Sequence, residues 1–251
     1  MPAKNLSFIV NIDQVDNDDQ ALIGDKGASL GEINNLGLAT PPGVIVTTKG
    51  YWYFIKKNDL QPKINSLLES INFKKPENLQ EISEQIKKLI LTSQMPEDLA
   101  WQIIKAYTSF GRLTNPSVAV RSSAVGEDLQ SSFLNVSGEA NVIKKVQKCW
   151  ASFFEPRGIF FRQKAKKNLL GQGMAVIIQK MIQAETAGVL FTADPSGTKK
   201  NVLIIEAVWG LGEYLVQGQV TPDQYLINFQ NGKIINQKIS PQKVYLTKII
   251  K

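Results

Sequence analysis

Residues 24–48, GDKGASLGEINNLGLATPPGVIVTT, hold a helix, a break and a strand in one short run. Ala28, Leu30, Ile33 and Leu36 recur near helical spacing and Gly37 supplies a stop, so the pattern predicts a short helix from Gly27 to Leu36. Thr40-Pro41-Pro42-Gly43 then interrupts the chain, and the β-branched run Val44-Ile45-Val46-Thr47-Thr48 predicts a buried strand. Ahead of the helix, Gly24-Asp25-Lys26-Gly27 sets a lysine beside helix N-terminal amides, a pairing that favours phosphate, although it is not a Walker A sequence. A plain helix cap with a solvated lysine accounts for the same four residues, and both readings stand at this point.

Working outward, Tyr51 to Ile55 continues in helical pattern. Asp59 to Ser109 is rich in Lys and Glu with Leu and Ile at helical intervals, broken by Pro76 and Pro96. Pro116-Ser117 opens the strand Val118-Ala119-Val120-Arg121, and Ser122 to Asp128 has turn composition. Arg121 ends an apolar strand, where a planar, permanently charged fork serves either an anion above the sheet edge or a strand-end ion pair. Asn141 to Lys164 is amphipathic helix with Val142, Val146, Cys149, Trp150 and Phe153 on one side, interrupted near Pro156. Past Gly171-Gln172-Gly173 the pattern becomes β: Ala175–Gln179, Gly188–Thr192, Val202–Glu206 and Tyr225–Phe229. The expectation is an α+β chain with an α/β first lobe, 1–170, and a β-rich second lobe, 171–251.

Bulk properties narrow the function classes. With 43% hydrophobic and 20% charged residues over 251 positions, the chain has enough apolar material to bury a core, which argues against disorder. The opening MPAKNLSFIVNIDQ has no secretory pattern and no run of about eighteen apolar residues occurs, so a cytoplasmic protein without a membrane span is expected. One cysteine, Cys149, cannot form an internal disulfide, and its apolar setting reads as a buried thiol. The formal charge of +7 suits a polyanion, yet the lysine pairs Lys56-Lys57, Lys87-Lys88, Lys144-Lys145 and Lys166-Lys167 lie on helical stretches without aromatic interleaving, so nucleic acid is not expected. There is no histidine, so an imidazole base, ligand or phosphoryl carrier must come from outside this sequence.

Six blocks decide between the open readings: residues 24–48 above, VAVRSSAVGEDL (118–129), CWASFFEPRGIFFR (149–162), MAVIIQKMI (174–182), AGVLFTADP (187–195) and EAVWGLGEYLVQGQVTPDQY (206–225). In order and spacing they resemble the nucleotide-binding domain of phosphoenolpyruvate synthases (pyruvate, water dikinases), a domain shared with pyruvate phosphate dikinases and rifampicin phosphotransferases. The resemblance implies an ATP-grasp fold of two lobes and ATP with Mg2+ as cofactors. It also implies a reaction in which ATP pyrophosphorylates a histidine on a swivelling domain, which after loss of phosphate phosphorylates pyruvate. By motif position Lys26 would neutralise the ATP phosphates, and Arg121, with Ser122 beside it, would hold the terminal ones. Gln179, Lys180, Met181 and Ile182 would meet adenine at the inter-lobe hinge, and Glu185 would face the ribose. Asp194, Glu206 and Glu213 are acidic residues at motif positions; Glu206 and Glu213 are candidates for magnesium or for an arginine partner.

The match departs in two places. Family members carry a glycine-containing stretch after the RSSA block, whereas here Ser132-Phe133 runs directly into Leu134-Asn135-Val136, which implies a shortened phosphate loop near Phe133-Leu134. The family's acidic metal-binding strand would follow Ile249-Ile250-Lys251, which implies an incomplete second lobe. Three expectations follow: a dikinase ATP-binding segment whose histidine and pyruvate-binding domains sit on a second chain, a truncated paralogue acting as a nucleotide-binding or interaction module, or part of a rifampicin phosphotransferase.

Overall fold

The β-branched runs become the strands of a five-stranded sheet, and the amphipathic runs become the helices that cover it. A computed structural model describes residues 7–111, 115–126, 131–245 and 247. Glu127 and Asp128 of the polar turn, and Ile249-Ile250-Lys251, lie outside the described residues. The chain forms two compact units that divide between Met181 and Ile182.

In the first unit the elements run β1 (Ile9–Asn11), α1 (Gln20–Asn35), β2 (Gly43–Val46), α2 (Thr48–Lys57), α3 (Leu60–Glu69), α4 (Pro76–Thr92) and α5 (Glu97–Thr108). They continue with β3 (Val118–Ser123), β4 (Ser132–Val136), α6 (Glu139–Ser152), α7 (Pro156–Lys164) and β5 (Ala175–Lys180). The sheet order is β1-β2-β5-β3-β4, every pairing antiparallel. Strand side chains alternate between faces. Val44, Val46, Val118, Val120, Val176 and Ile178 face one way and join the larger core with Tyr51, Phe54, Ile86, Trp150 and Phe153. Val10, Ile45, Ala175 and Ile177 face the other way and pack with Ile23 and Ala28 of α1. Each fully buried Ile or Phe here contributes roughly 1.5–3 kcal/mol.

Several expectations are corrected. The helix predicted from Gly27 begins at Gln20, with Gly24 itself non-helical inside it. The strand predicted through Thr48 ends at Val46; Thr47 caps α2, which starts at Thr48. The run of helices broken at Pro76 and Pro96 is present as α3, α4 and α5, with Pro76 in the first turn of α4 and Pro96 at the N-cap of α5, where a missing N–H costs nothing. Strand β3 continues through Ser122 and Ser123, which were read as turn. Strand β5, assigned with the second lobe from the Gly171 break, pairs with β2 and β3 in the first unit's sheet.

The second unit is a four-stranded antiparallel sheet, order β6-β7-β8-β9, from Thr186–Phe191, Val202–Trp209, Asp223–Asn228 and Ile234–Lys238, with the short helix α8 (Glu213–Val216) between β7 and β8. Taken together the chain is α+β. Among the described residues no helix is long and apolar enough to cross a membrane.

Candidate functional site

The start of α1 and the end of β3 are fastened together. Gly24 adopts φ 72° and ψ 171°, which takes the chain out of helical geometry for one residue. A kink of this kind separates the amide of Gly27 from its helical acceptor, the carbonyl of Ile23. The Ser123 hydroxyl occupies that gap: it accepts from the Gly27 N–H at 3.1 Å and donates to the Ile23 carbonyl at 2.7 Å. Only glycine fits at 24, since a Cβ there would lie 2.3 Å from the Ser123 carbonyl oxygen and the left-handed φ disfavours any side chain. Next to this joint the Asp25 N–H donates to the Ala124 carbonyl at 3.1 Å, and the Asp25 carboxylate accepts from the Gly126 N–H at 2.8 Å and from Gln20 Nε2 at 2.8 Å.

The joint sets the two cations singled out in the sequence on neighbouring pieces of backbone. Lys26 follows Asp25 and is exposed. Arg121 is the one exposed residue of β3; it pairs in register with Ile177 and Ser132 and shares with Ser123 the sheet face that α1 covers. Two residues along a strand separate Arg121 from Ser123, roughly 7 Å. Ser122 points to the opposite face: its hydroxyl accepts from the Ser131 N–H at 3.1 Å, and its amide donates to the Ser131 carbonyl at 2.9 Å, closing the β3–β4 hairpin. The amides of Asp25 and Gly27, read as anion donors, are used by Ala124 and Ser123. Attraction for an anion therefore falls on side chains there, not on those two N–H groups.

Strand β5 carries the next group. Gln179 is buried, and its amide donates to the Pro41 carbonyl at 2.9 Å. The backbone N–H groups of Lys180 and Met181 donate to the carbonyls of Pro42 at 2.8 Å and Ser117 at 2.9 Å. Gln179 lies on the Arg121 face of the sheet, since Ala119 and Gln179 are register partners. Lys180 and Ile182 are exposed and Met181 half-buried. The second unit holds the remaining candidates. Glu185 is exposed, and its carbonyl accepts the Gly210 N–H at 2.7 Å.

The acidic candidates are each occupied locally. Glu206 accepts from Gln224 across the β7–β8 pair at 2.7 Å, and Glu213 accepts from Gln217 one turn along at 3.2 Å. Asp194 closes its own loop, accepting from Ser196, Thr198 and the Lys199 N–H; these bonds, the Ser196 hydroxyl first, hold its carboxyl well below the usual carboxylate range. Among the described residues no group of three or more His, Cys, Asp or Glu side chains comes together. The described residues do not gather enough acidic ligands to build a magnesium site by themselves.

Sequence reasoning missed Ser123 and Asp25, whose roles depend on partners about a hundred positions away. It also gave no role to Arg162, which is fully buried, donates to the Leu169 and Phe153 carbonyls at 3.0 and 2.7 Å, and stacks over the Phe153 ring at 4.1 Å. Cys149 is buried as expected, and burial pushes its thiol pKa up, away from reactivity.

Comparison with known proteins matches residues 20–249 to the family described as pyruvate phosphate dikinase, AMP/ATP-binding domain. A probable phosphoenolpyruvate synthase of Methanocaldococcus jannaschii is 40% identical over 97% of this chain and 22% of its own length. One from Archaeoglobus fulgidus is 41% identical over 93% of the chain and 32% of its own length. A rifampicin phosphotransferase of Bacillus cereus is 34% identical over 95% of the chain and 28% of its own length. The chain thus spans about a fifth to a third of these curated relatives. It belongs to the pyruvate phosphate dikinase AMP/ATP-binding domain family.

Proposed function

We propose that this chain binds ATP as the nucleotide-binding part of a phosphoenolpyruvate synthase-type dikinase, with ATP-grasp architecture. The observation that carries the reading is the Ser123 joint, which fastens the stretch of α1 that holds Lys26 to strand β3 two residues from Arg121. Lys26 and Arg121 neutralise the polyphosphate and fix the terminal phosphates for transfer, since phosphoryl transfer depends mainly on positioning and charge. The segment Gln179–Ile182 receives the adenine. With the amides of Lys180 and Met181 donated to Pro42 and Ser117, the apolar flank of Met181 and Ile182 reads the base. Glu185 faces the ribose, and magnesium arrives on the nucleotide's phosphates.

The acceptor in this reading is a histidine on another domain or a second chain, because the sequence has none. Attack of an imidazole nitrogen on the β-phosphorus of ATP breaks the bond to the α-phosphoryl oxygen and releases AMP. Water then removes one phosphate, and the phosphohistidine passes its phosphoryl group to pyruvate. Isothermal titration tests the binding step. The chain should bind ATP at millimolar affinity or tighter, and Arg121→Ala and Lys26→Ala should each weaken it by about tenfold. No heat together with no thermal shift overturns the reading.

A second reading, a nucleotide-binding or interaction module without turnover, draws on the missing histidine and on Glu206 and Glu213 each being engaged by a neighbouring glutamine. ATP that binds but yields no AMP when the histidine domain of a phosphoenolpyruvate synthase is added favours it. Phosphate transfer to rifampicin in that mixture would point instead to the antibiotic phosphotransferases.

A further inference from the structure

Asp25 reaches further than its own turn of α1. In an unbroken helix, side chains five residues apart point about 140° away from each other, so Gln20 and Asp25 would not meet. The kink at Gly24 takes Asp25 off that ladder, and its two carboxylate oxygens serve different partners: Oδ1 accepts from Gln20 Nε2 at 2.8 Å and Oδ2 accepts from the Gly126 N–H at 2.8 Å. The Asp25 N–H meanwhile donates to the Ala124 carbonyl at 3.1 Å. One residue of α1 therefore grips the chain leaving β3 at two points. These are buried Ala124 and exposed Gly126, where the chain turns through a left-handed φ of 63°. The return into β4 is gripped by β3 itself, since Ser131 exchanges bonds with the Ser122 hydroxyl and amide.

This grip bears on the backbone of Lys26. Its neighbours on both sides are bonded to the end of β3, Asp25 to Ala124 and Gly126, and Gly27 to the Ser123 hydroxyl. The contacts at Ser123 and Ala124 lie on consecutive residues, and the Asp25 side chain adds a third point at Gly126, away from them. Three points fix an orientation where two leave a hinge. Binding groups keep their geometry when the residues behind them are locked by hydrogen bonds in this way. Gly126 is exposed, so its bond to Asp25 adds little to global stability, yet a charged acceptor makes it stronger than a neutral pair. Its effect is therefore local. Resting on the nucleotide reading above, we infer that Asp25 is a positioning residue for polyphosphate binding: it touches no phosphate, and it acts by holding the backbone of Lys26 and the turn at Gly126 in one fixed relation.

The test compares Asp25→Asn and Asp25→Ala in the full chain by titration with ATP, AMP and inorganic tripolyphosphate, with unliganded melting temperature as the folding control. Both variants lose the negative charge, so the ratio between them reads the tether alone: an asparagine carbonyl still accepts from Gly126, and alanine cannot. Asp25→Ala should bind ATP and tripolyphosphate about tenfold more weakly than Asp25→Asn does, and AMP within about twofold of it. Amide exchange at Gly126 should speed up in Asp25→Ala and stay close to wild type in Asp25→Asn. Equal ATP affinity in the two variants, or a loss for AMP that matches the loss for ATP, overturns the inference while the nucleotide reading stands. A wild-type chain that binds neither ATP nor tripolyphosphate overturns both.

Discussion

Ile178 in β5 and Ile234 in β9 are the same residue type in two antiparallel sheets, yet Ile178 is fully buried and Ile234 is 56% exposed. The first unit's sheet carries α1 on one face and the helices from α2 to α7 on the other, so its alternating residues are buried on both sides. The second unit's sheet has apolar residues on both faces as well, Val189, Ile204 and Leu226 on one and Leu190, Ile205 and Tyr225 on the other, with α8 as its only helix among the described residues. Leu190, Trp209 and Ile234 are each more than half exposed. Strand composition specifies that a segment pairs, and the helices around it decide how much of it leaves water.

The contrast can be broken at its strongest point first. Gly24→Ala places a Cβ against the Ser123 carbonyl and forces a left-handed φ on a side chain, so the first unit should lose about 4 kcal/mol in urea unfolding, and ATP binding should fail with it. A loss under about 1 kcal/mol would show that the joint relaxes. The paired truncations come next: Ile178→Ala should cost about 3 kcal/mol and Ile234→Ala less than about 1 kcal/mol, each read from the unfolding midpoint. Similar costs at the two sites would mean that Ile234 is covered in solution.

Tyr51→Phe sharpens the picture of the larger core. The Tyr51 hydroxyl is fully buried and has no hydrogen-bond partner among the described residues, and burial pushes its pKa up despite the nearby Arg162 charge. Removing it should be neutral or stabilise by up to about 1 kcal/mol, while a clear loss would reveal a bound water. The smallest effect lies in the β6–β7 loop. The carboxyl of Asp194 is lowered in the folded chain, so its contribution is present above the ordinary carboxylate value near 4 and is lost as the pH falls through the depressed one. Amide exchange at Ser196 and Lys199 should stay slow at about pH 4 and speed up only in stronger acid. In Asp194→Asn the loop should be loose at every pH.

The sequence made the covered sheet legible because its strands are short, β-branched and flanked by breakers, as in Val44–Val46, Val118–Val120 and Ala175–Ile178. It left β1, β4 and β9 unread for different reasons. IVN is too short to show a period; SFLNV was read as a shortened loop and carries a left-handed Asn135; IINQK is exposed along its length. The cations Lys26 and Arg121 could be picked from motif wording. Their backbone connection could not, because a serine hydroxyl spanning 96 and 100 positions leaves no periodicity behind.

By standing in for a missing rung of the α1 ladder, the Ser123 hydroxyl makes one rigid piece out of two elements far apart in sequence. Neither Lys26 nor Arg121 can then adjust its footing without dragging the other. A ligand touching both would meet two side chains rooted at a fixed backbone interval, so it would spend less ordering entropy than if the two roots moved independently.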